Sequence, residues 1–325
     1  MSVENPVIAI PHYHTEYSNK SFTDIKGVET SNHYTASIAQ LAETIPSDID
    51  LFFTRTDHYK TDPDYWEKTK KEVERRGGEA YKDDLVLRGE LEGTRFWGIN
   101  GVETALEDDL KKEYIAYGLE LDDSQNHICE DYDEMLELTE STELGVIPHP
   151  FMMDFDWEEG REEFIEKALD YDVELGIGYS TGYGTLNNVS NGYWFNEEDV
   201  KDLTERYDLP AIPDIDYHAY LPGKISLVDR SAIDKLEADE IPVEEMKDMR
   251  IVQEEGLKSG LRRVQDTIGA GLTFVDMMPV VGSQLSRHER FYKFLRDSSL
   301  RNFANLESDK LLENSVRLNG EKSPL

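Results

Sequence analysis

The chain has one cysteine, Cys129, in 325 residues. A single thiol excludes an internal disulfide framework and suits a reducing compartment such as the cytoplasm. Positive charge is also sparse: 34 Lys and Arg stand against 69 Asp and Glu, a formal net charge of −35. That balance disfavours a broad grip on nucleic acid, which needs cationic side chains to displace counterions. The acid is spread along the chain and not gathered in a tail. Self-repulsion at this charge opposes the compact state, and salt screens it. We therefore read the surplus as adaptation to high salt, with an ordinary acidic cytosolic enzyme as the alternative. Long apolar runs are missing as well. The most membrane-like stretch, Thr267 to Leu285, is interrupted by Asp276 and Pro279 and reads as a buried or interface helix. The opening Met1-Ser2-Val3-Glu4-Asn5 lacks the basic start and apolar stretch of a secretory signal.

Histidine is scarce too, with 8 in the chain, yet five of these fall in four short fragments just beyond apolar runs. The fragments are His12-Tyr13-His14, Thr56-Asp57-His58, Pro148-His149-Pro150 and Asp216-Tyr217-His218. A fifth fragment, Gly101-Val102-Glu103, follows another such run, and His127 follows a strand-like segment of its own. Over the first two-thirds of the chain, strand-like runs alternate with helical patterns. Val7-Ile8-Ala9-Ile10, Leu51-Phe52-Phe53-Thr54, Arg95-Phe96-Trp97-Gly98-Ile99, Tyr114-Ile115-Ala116-Tyr117, Gly145-Val146-Ile147 and Ala211-Ile212-Pro213 are the clearest. Short apolar strands alternating with helices indicate parallel βαβ units. Function in a closed (β/α) barrel collects at the C-terminal ends of several strands, whereas an open doubly wound sheet binds near one switch point. Contributions from five or more strands favour the barrel. From about Ala232 onward the pattern changes to helix with no clear strand, with Glu244 to Thr267 and Arg287 to Leu306 as the helical stretches. The division is a metal-binding barrel over 1–231 and a helical extension over 232–325.

Two histidines at i and i+2 on an extended segment point to one side, so His12 and His14 can grip one cation. Asp216 and His218 repeat that spacing with a carboxylate and an imidazole. Imidazole suits Zn, Fe or Mn, and carboxylates add the charge that holds several ions together. Glu103, after a glycine at a strand end, can bridge two cations. His149 is held between prolines. Asp57 either ligates directly or orients an imidazole from behind. Each residue alone also has a plain structural explanation, such as a half-buried strand histidine, a loop or helix cap, or one more surface acid. The argument for a metal lies in their convergence. His33 and His288 fall outside the pattern, the first as an N-terminal helix residue and the second as exposed. Cys129 reads as a buried thiol.

Taken together, these fragments resemble the PHP (polymerase and histidinol phosphatase) family. His12-Tyr13-His14-Thr15-Glu16-Tyr17-Ser18 is similar to its first motif, Thr56-Asp57-His58 to the second and Asn100-Gly101-Val102-Glu103 to the third. Val146-Ile147-Pro148-His149-Pro150 is similar to the fourth, Asp216-Tyr217-His218 to the last, and His127-Ile128 to the extra histidine between them. The resemblance covers roughly residues 5 to 222. It implies a distorted (β/α)7 TIM-like barrel with a C-terminal helical extension, and divalent Zn, Mn or Fe at the strand ends. Carried over by motif, His12, His14, Glu103 and Asp216 hold one ion. Glu103 bridges to a second held by His127 and His149, and a third falls to His58 and His218. Asp57 and His218 take the catalytic roles. The expected reaction is hydrolysis of a small phosphorylated metabolite or nucleotide. Nucleic acid enters only as a nucleotide or short oligonucleotide substrate, and no membrane partner is expected. The chain departs from the family at Asn19-Lys20, where an acid and a glycine are usual, which weakens the third site. It departs again at Asp214-Ile215, where Gly-Ser usually precedes the last Asp, and at Arg55, where an apolar residue is usual. Two other readings compete: a non-catalytic metal-binding domain, and a metal-dependent amidohydrolase-like enzyme.

Overall fold

The computed structural model describes residues 5–18, 34–122, 127–140, 144–150, 160–171, 173–180, 197–214, 225–252 and 289–319. The most apolar runs of the sequence form the centre of one thirteen-stranded sheet. Its middle strands are β1 (Val7–Tyr13), β2 (Asp50–His58) and β5 (Thr94–Leu106), buried along nearly their whole length, as strands covered on both faces are. On one side the sheet continues through β6 (Glu113–Leu119), β8 (Leu144–Ile147), β9 (Leu175–Ser180) and β10 (Ala211–Asp214). On the other it continues through β11 (Ser226–Val228), β12 (Arg250–Val252) and β13 (Ser315–Arg317). A hairpin of β3 (Glu79–Lys82) and β4 (Val86–Leu91) adds to β5, and β7 (Ile128–Cys129) pairs with the end of β5.

Alternate residues of each strand serve opposite faces, as the two-residue period requires. Ile8, Ile10, Leu51 and Phe53 point to a face covered by α1 (Ile38–Thr44), α2 (Asp64–Arg75), α8 (Glu289–Ala304) and α9 (Ser308–Glu313). The intervening Val7, Ala9 and Phe52 meet Trp97, Ile115, Val146 and Ile212 in a single cluster that α6 (Ser231–Glu237) and α7 (Val243–Lys247) complete with Leu236 and Met246. One cluster containing residues from β10 through to β11 means that the sheet curls around a shared interior. Helices α3 (Tyr132–Glu140), α4 (Arg161–Asp170) and α5 (Glu197–Tyr207) cover β8 to β10 through Leu136, Phe164 and Leu203. The α1 helix starts at a capping box in which Ser37 and Gln40 satisfy each other's backbone amides.

The structure is thus mixed α/β with a curled sheet, and several strand-level expectations change. The strands β1, β2 and β5 are mutually parallel, as are β8, β9 and β10. Between the two sets, β6 runs antiparallel to both neighbours. The sheet is open: among the described residues no backbone ladder joins β13 to β10. Asn319, two residues past β13, spans that seam with its side chain. Its Oδ1 accepts from Ala211 N at 2.9 Å and its Nδ2 donates to Ala211 O at 3.0 Å. The expectation of helix without strand beyond Ala232 is overturned by β12 and β13, and α7 ends at Lys247 instead of running on through Val252. Strands of three residues carry too little periodicity to be read from sequence. The helix over 289–304 lies where the pattern placed it. Among the described residues no helix is long and apolar enough to cross a membrane, and Thr267 to Leu285 lies outside them.

Candidate metal centre

Opposite the end closed by α6 and α7, a set of buried imidazoles and carboxylates converges at the C-terminal ends of the parallel strands. Pro11 cannot donate to the ladder, and the β1–β2 register shifts between Ile10 and Tyr13. The shift falls where His12 sits, with His14 just beyond the strand. Their Nε2 atoms are 2.8 Å apart, so the i, i+2 geometry holds. Parallel pairing of β2 with β5 puts His58 directly beside Glu103. Glu103 is fully buried and lies among four imidazoles. Its Oε1 is 3.5 Å from His12 Nε2 and 3.4 Å from His149 Nε2; its Oε2 is 3.2 Å from His14 Nε2 and 2.7 Å from His58 Nδ1.

His149 comes from the turn after β8. Its φ of +27° is a left-handed value that a non-glycine residue adopts only when its surroundings impose it. Two constraints do so here. Its amide donates to Asp214 Oδ2 at 2.6 Å, and Gly178 of β9 packs so close that a Cβ there would lie 2.9 Å from His149 N. Asp214, the last residue of β10, also receives His12 Nδ1 at 2.5 Å through its Oδ1. A carboxylate on Nδ1 fixes the tautomer of a neutral imidazole and turns its Nε2 lone pair toward the cluster.

Three sets among the described residues each place one ligand atom per residue within 4.8 Å of the others: His12, His14 and Glu103; His12, His149 and Asp214; and His58, Glu103 and Glu113. All of these side chains are buried, and burying several carboxylates together is costly without cations to balance them. The titration of the cluster reflects that balance. Burial pulls the His12 imidazole down, but Glu103 and Asp214 beside it outweigh burial and hold it well above the ordinary histidine range. Burial likewise opposes protonation of His149, while Glu103, Asp214 and Glu113 raise it to about 9. Burial pushes the Glu103 carboxyl up, and His58 and His12 more than reverse this, holding it well below the usual carboxylate range. The residues thus form a site that attracts positive charge, and the mixed imidazole and carboxylate donors fit a divalent transition metal.

The other expected site residues fall outside these three sets or outside the described residues. Asp57 does not orient an imidazole: Thr15 N and Thr15 Oγ1 donate to it at 2.6 and 2.7 Å, and Arg55 Nε at 2.6 Å. It therefore pins the segment immediately after His14. Arg55, whose role the sequence left open, is fully buried. Its guanidinium donates to Asp62 O at 2.6 Å and stacks 5.0 Å over Tyr65, with Tyr17 and Trp66 at 5.9 Å. His127 falls in none of the three sets. Its Nε2 is 3.1 Å from Thr61 Oγ1, and its amide donates to Tyr59 O. Asp216, His218, Asn19, His33 and His288 lie outside the described residues. Cys129 is buried, and burial pushes its thiol up to about 11.

Two residues escaped the sequence reading. Asp214 directly follows the apolar run Ala211-Ile212-Pro213, so the strand-end rule that found the others also points to it. Glu113 begins a strand and does not end one, and no strand-end rule finds it. Compared with protein-family models, curated proteins and solved structures, the chain matches none.

Proposed function

We propose that this chain is a divalent-metal-dependent hydrolase of phosphate esters, acting on a small phosphorylated metabolite, a nucleotide or a short oligonucleotide. The curled sheet is then a distorted TIM-like barrel of the PHP type, resembling that family in the order of its motifs. One observation carries the reading: a buried Glu103 within 3.5 Å of imidazole nitrogens from His12, His14, His58 and His149, with Asp214 behind His12. His12, His14 and Glu103 would hold a cation between them, with Asp214 fixing His12 and His149 completing the far side. A divalent cation bound there supplies charge for phosphate oxygens and lowers the pKa of a nearby water. The protein's own contribution is preorganisation. Asp57 and Arg55 lock the turn after His14, and the proline-flanked, Gly178-backed His149 is held in one direction.

Hydrolysis breaks one P–O ester bond and adds the elements of water, and it draws an anionic substrate to a cation-rich pocket despite the acidic surface. The test is metal analysis of the native protein with a phosphomonoester and phosphodiester panel in high salt with Mn or Zn. We expect bound metal and turnover that His12→Ala abolishes. Bound metal without hydrolysis of any phosphoester would sink the reading, and amide and lactone substrates in the same panel would expose carbon-centred hydrolysis instead.

A further inference from the structure

On the side of β1 turned away from the histidines, a cavity of about 190 Å³ lies where the turn after His14, the start of α1, one face of α2 and Arg296 of α8 meet. His12 and His14 point to one side of the extended chain and Tyr13 to the other, and Tyr13 lines the cavity. Tyr65, Lys68, Thr69 and Glu72 line it from α2 at the i, i+3, i+4, i+7 spacing of a single helical face. Among the described residues of the lining, hydroxyls dominate: Tyr13, Thr15, Thr35, Ser37, Tyr65 and Thr69. Charges balance there, Glu16 and Glu72 against Lys68 and Arg296, and Lys68 pairs with Glu16. Several of these polar groups are engaged. Thr15 Oγ1 donates to Asp57 Oδ2 at 2.7 Å, Tyr13 OH to Ala36 O at 2.8 Å and Ser37 Oγ to Glu72 Oε1 at 3.0 Å. The Tyr65 hydroxyl differs. Tyr65 is 5 % exposed, and although Tyr13 and Thr69 stand beside its hydroxyl, no group among the described residues meets it in hydrogen-bonding geometry. Burial raises its pKa above the ordinary phenol range, so it stays a neutral donor. A buried donor left unmade is costly, and this one belongs to a wall of a space that can hold its acceptor.

We propose that this cavity binds a small neutral polyol, with the Tyr65 hydroxyl donating to one of its oxygens. Hydroxyls both donate and accept, so a polyhydroxylated ligand matches a hydroxyl-lined wall group for group. An ion of either sign would meet as many like charges as opposite ones; an uncharged ligand meets no such conflict. The volume equals about six waters at ~30 Å³ each, which suits a chain of about three to five hydroxyl-bearing carbons. Thr15 forms part of the wall while its amide and hydroxyl hold Asp57, so the ligand rests against the turn that follows His14. None of the imidazoles or carboxylates of the metal centre is among the described lining residues, and the proposal stands whether or not that centre binds a cation.

The test is equilibrium dialysis of the full chain against labelled glycerol and erythritol in 0.5 M and 2 M KCl, about 0.3 to about 0.2 nm being the corresponding screening range. The native chain should hold one saturable equivalent with a Kd that is roughly millimolar for ligands of this size, and the two salt concentrations should give the same Kd. Tyr65→Phe removes only the unpartnered hydroxyl. It should melt no lower than the native chain without ligand and bind about 10-fold more weakly. If Tyr65→Phe does not fold, Thr69→Val keeps the shape beside it, removes the neighbouring hydroxyl and should also weaken binding. No saturable binding by the native chain would overturn the proposal and leave the cavity to water. Native affinity in Tyr65→Phe, or in Thr69→Val where only that variant folds, would overturn it too. Affinity that falls steeply between the two salt concentrations would mark an ionic mode and overturn the neutral ligand.

Discussion

Replacing Arg55 tests how the site is braced from behind. The side chain is fully buried, with Nε 2.6 Å from Asp57 Oδ2 and Nη1 2.6 Å from Asp62 O. Arg55→Met keeps much of the volume against Tyr65 and Trp66 but leaves the Asp57 charge buried with only the two Thr15 donors. Removing one partner of a buried pair costs about 3–5 kcal/mol, chiefly because the other charge stays behind. Asp57→Asn should cost a similar amount, since it strands the guanidinium. The double variant Arg55→Met/Asp57→Asn removes both charges, so its cost should fall short of the sum of the singles by about 2–3 kcal/mol. Urea unfolding in molar KCl, followed by the fluorescence of Trp66 and the other tryptophans, measures all three, and unchanged slopes would show that the comparison is sound. Additive effects, or a cost for Arg55→Met below about 1 kcal/mol, would refute the idea that a buried ion pair holds this turn.

Further outcomes follow from the same geometry. Gly178→Ala should push the His149 backbone aside and weaken metal binding about 10-fold or more by dialysis, with secondary structure intact; native affinity would show that the turn yields cheaply. In metal-free protein the raised His149 contributes stability that is full below the ordinary histidine pKa and is lost as pH rises toward about 9. Metal must displace that proton, so Mn affinity should rise through the same window, and calorimetry across pH 6 to 9 should show the two trends opposing each other. The buried Cys129 thiol, raised to about 11, should resist a thiol reagent at pH 8 until urea exposes it. At a net charge of −35, the urea midpoint should climb between about 0.1 M and about 2 M KCl as screening removes self-repulsion; a flat response would argue for the ordinary acidic protein.

How legible the molecule was depended on whether a feature was local. His12, His14, His58, Glu103 and His149 could be read because each follows an apolar run long enough to recognise as a strand, and parallel strands deliver their ends to one place. Glu113 could not, because recognising it required knowing that β6 runs backwards, a fact set by pairing with β5 and β8 and by nothing within Glu113-Tyr114-Ile115. Arg55 looked like an intruder in an apolar strand. Its partners Tyr65 and Trp66 lie on α2, and only the packing of that helix against β2, which no local pattern reveals, brings them to it. The strands β11, β12 and β13 were invisible because three residues make no pattern, and their existence depends on the edge beside them.

The Asn319 clasp sets an order of assembly. The outer edge of β10 acquires this partner from a residue 108 positions downstream, which at ordinary rates of synthesis emerges roughly 5–20 s later. Asp214, which fixes His12, sits on that same edge strand. Until the clasp arrives, β10 is an unguarded edge open to other chains, and the backing of the metal ligands rests on a strand held from one side. A chain that has not yet delivered Asn319 therefore lacks the clasp on the strand whose last residue, Asp214, steadies His12.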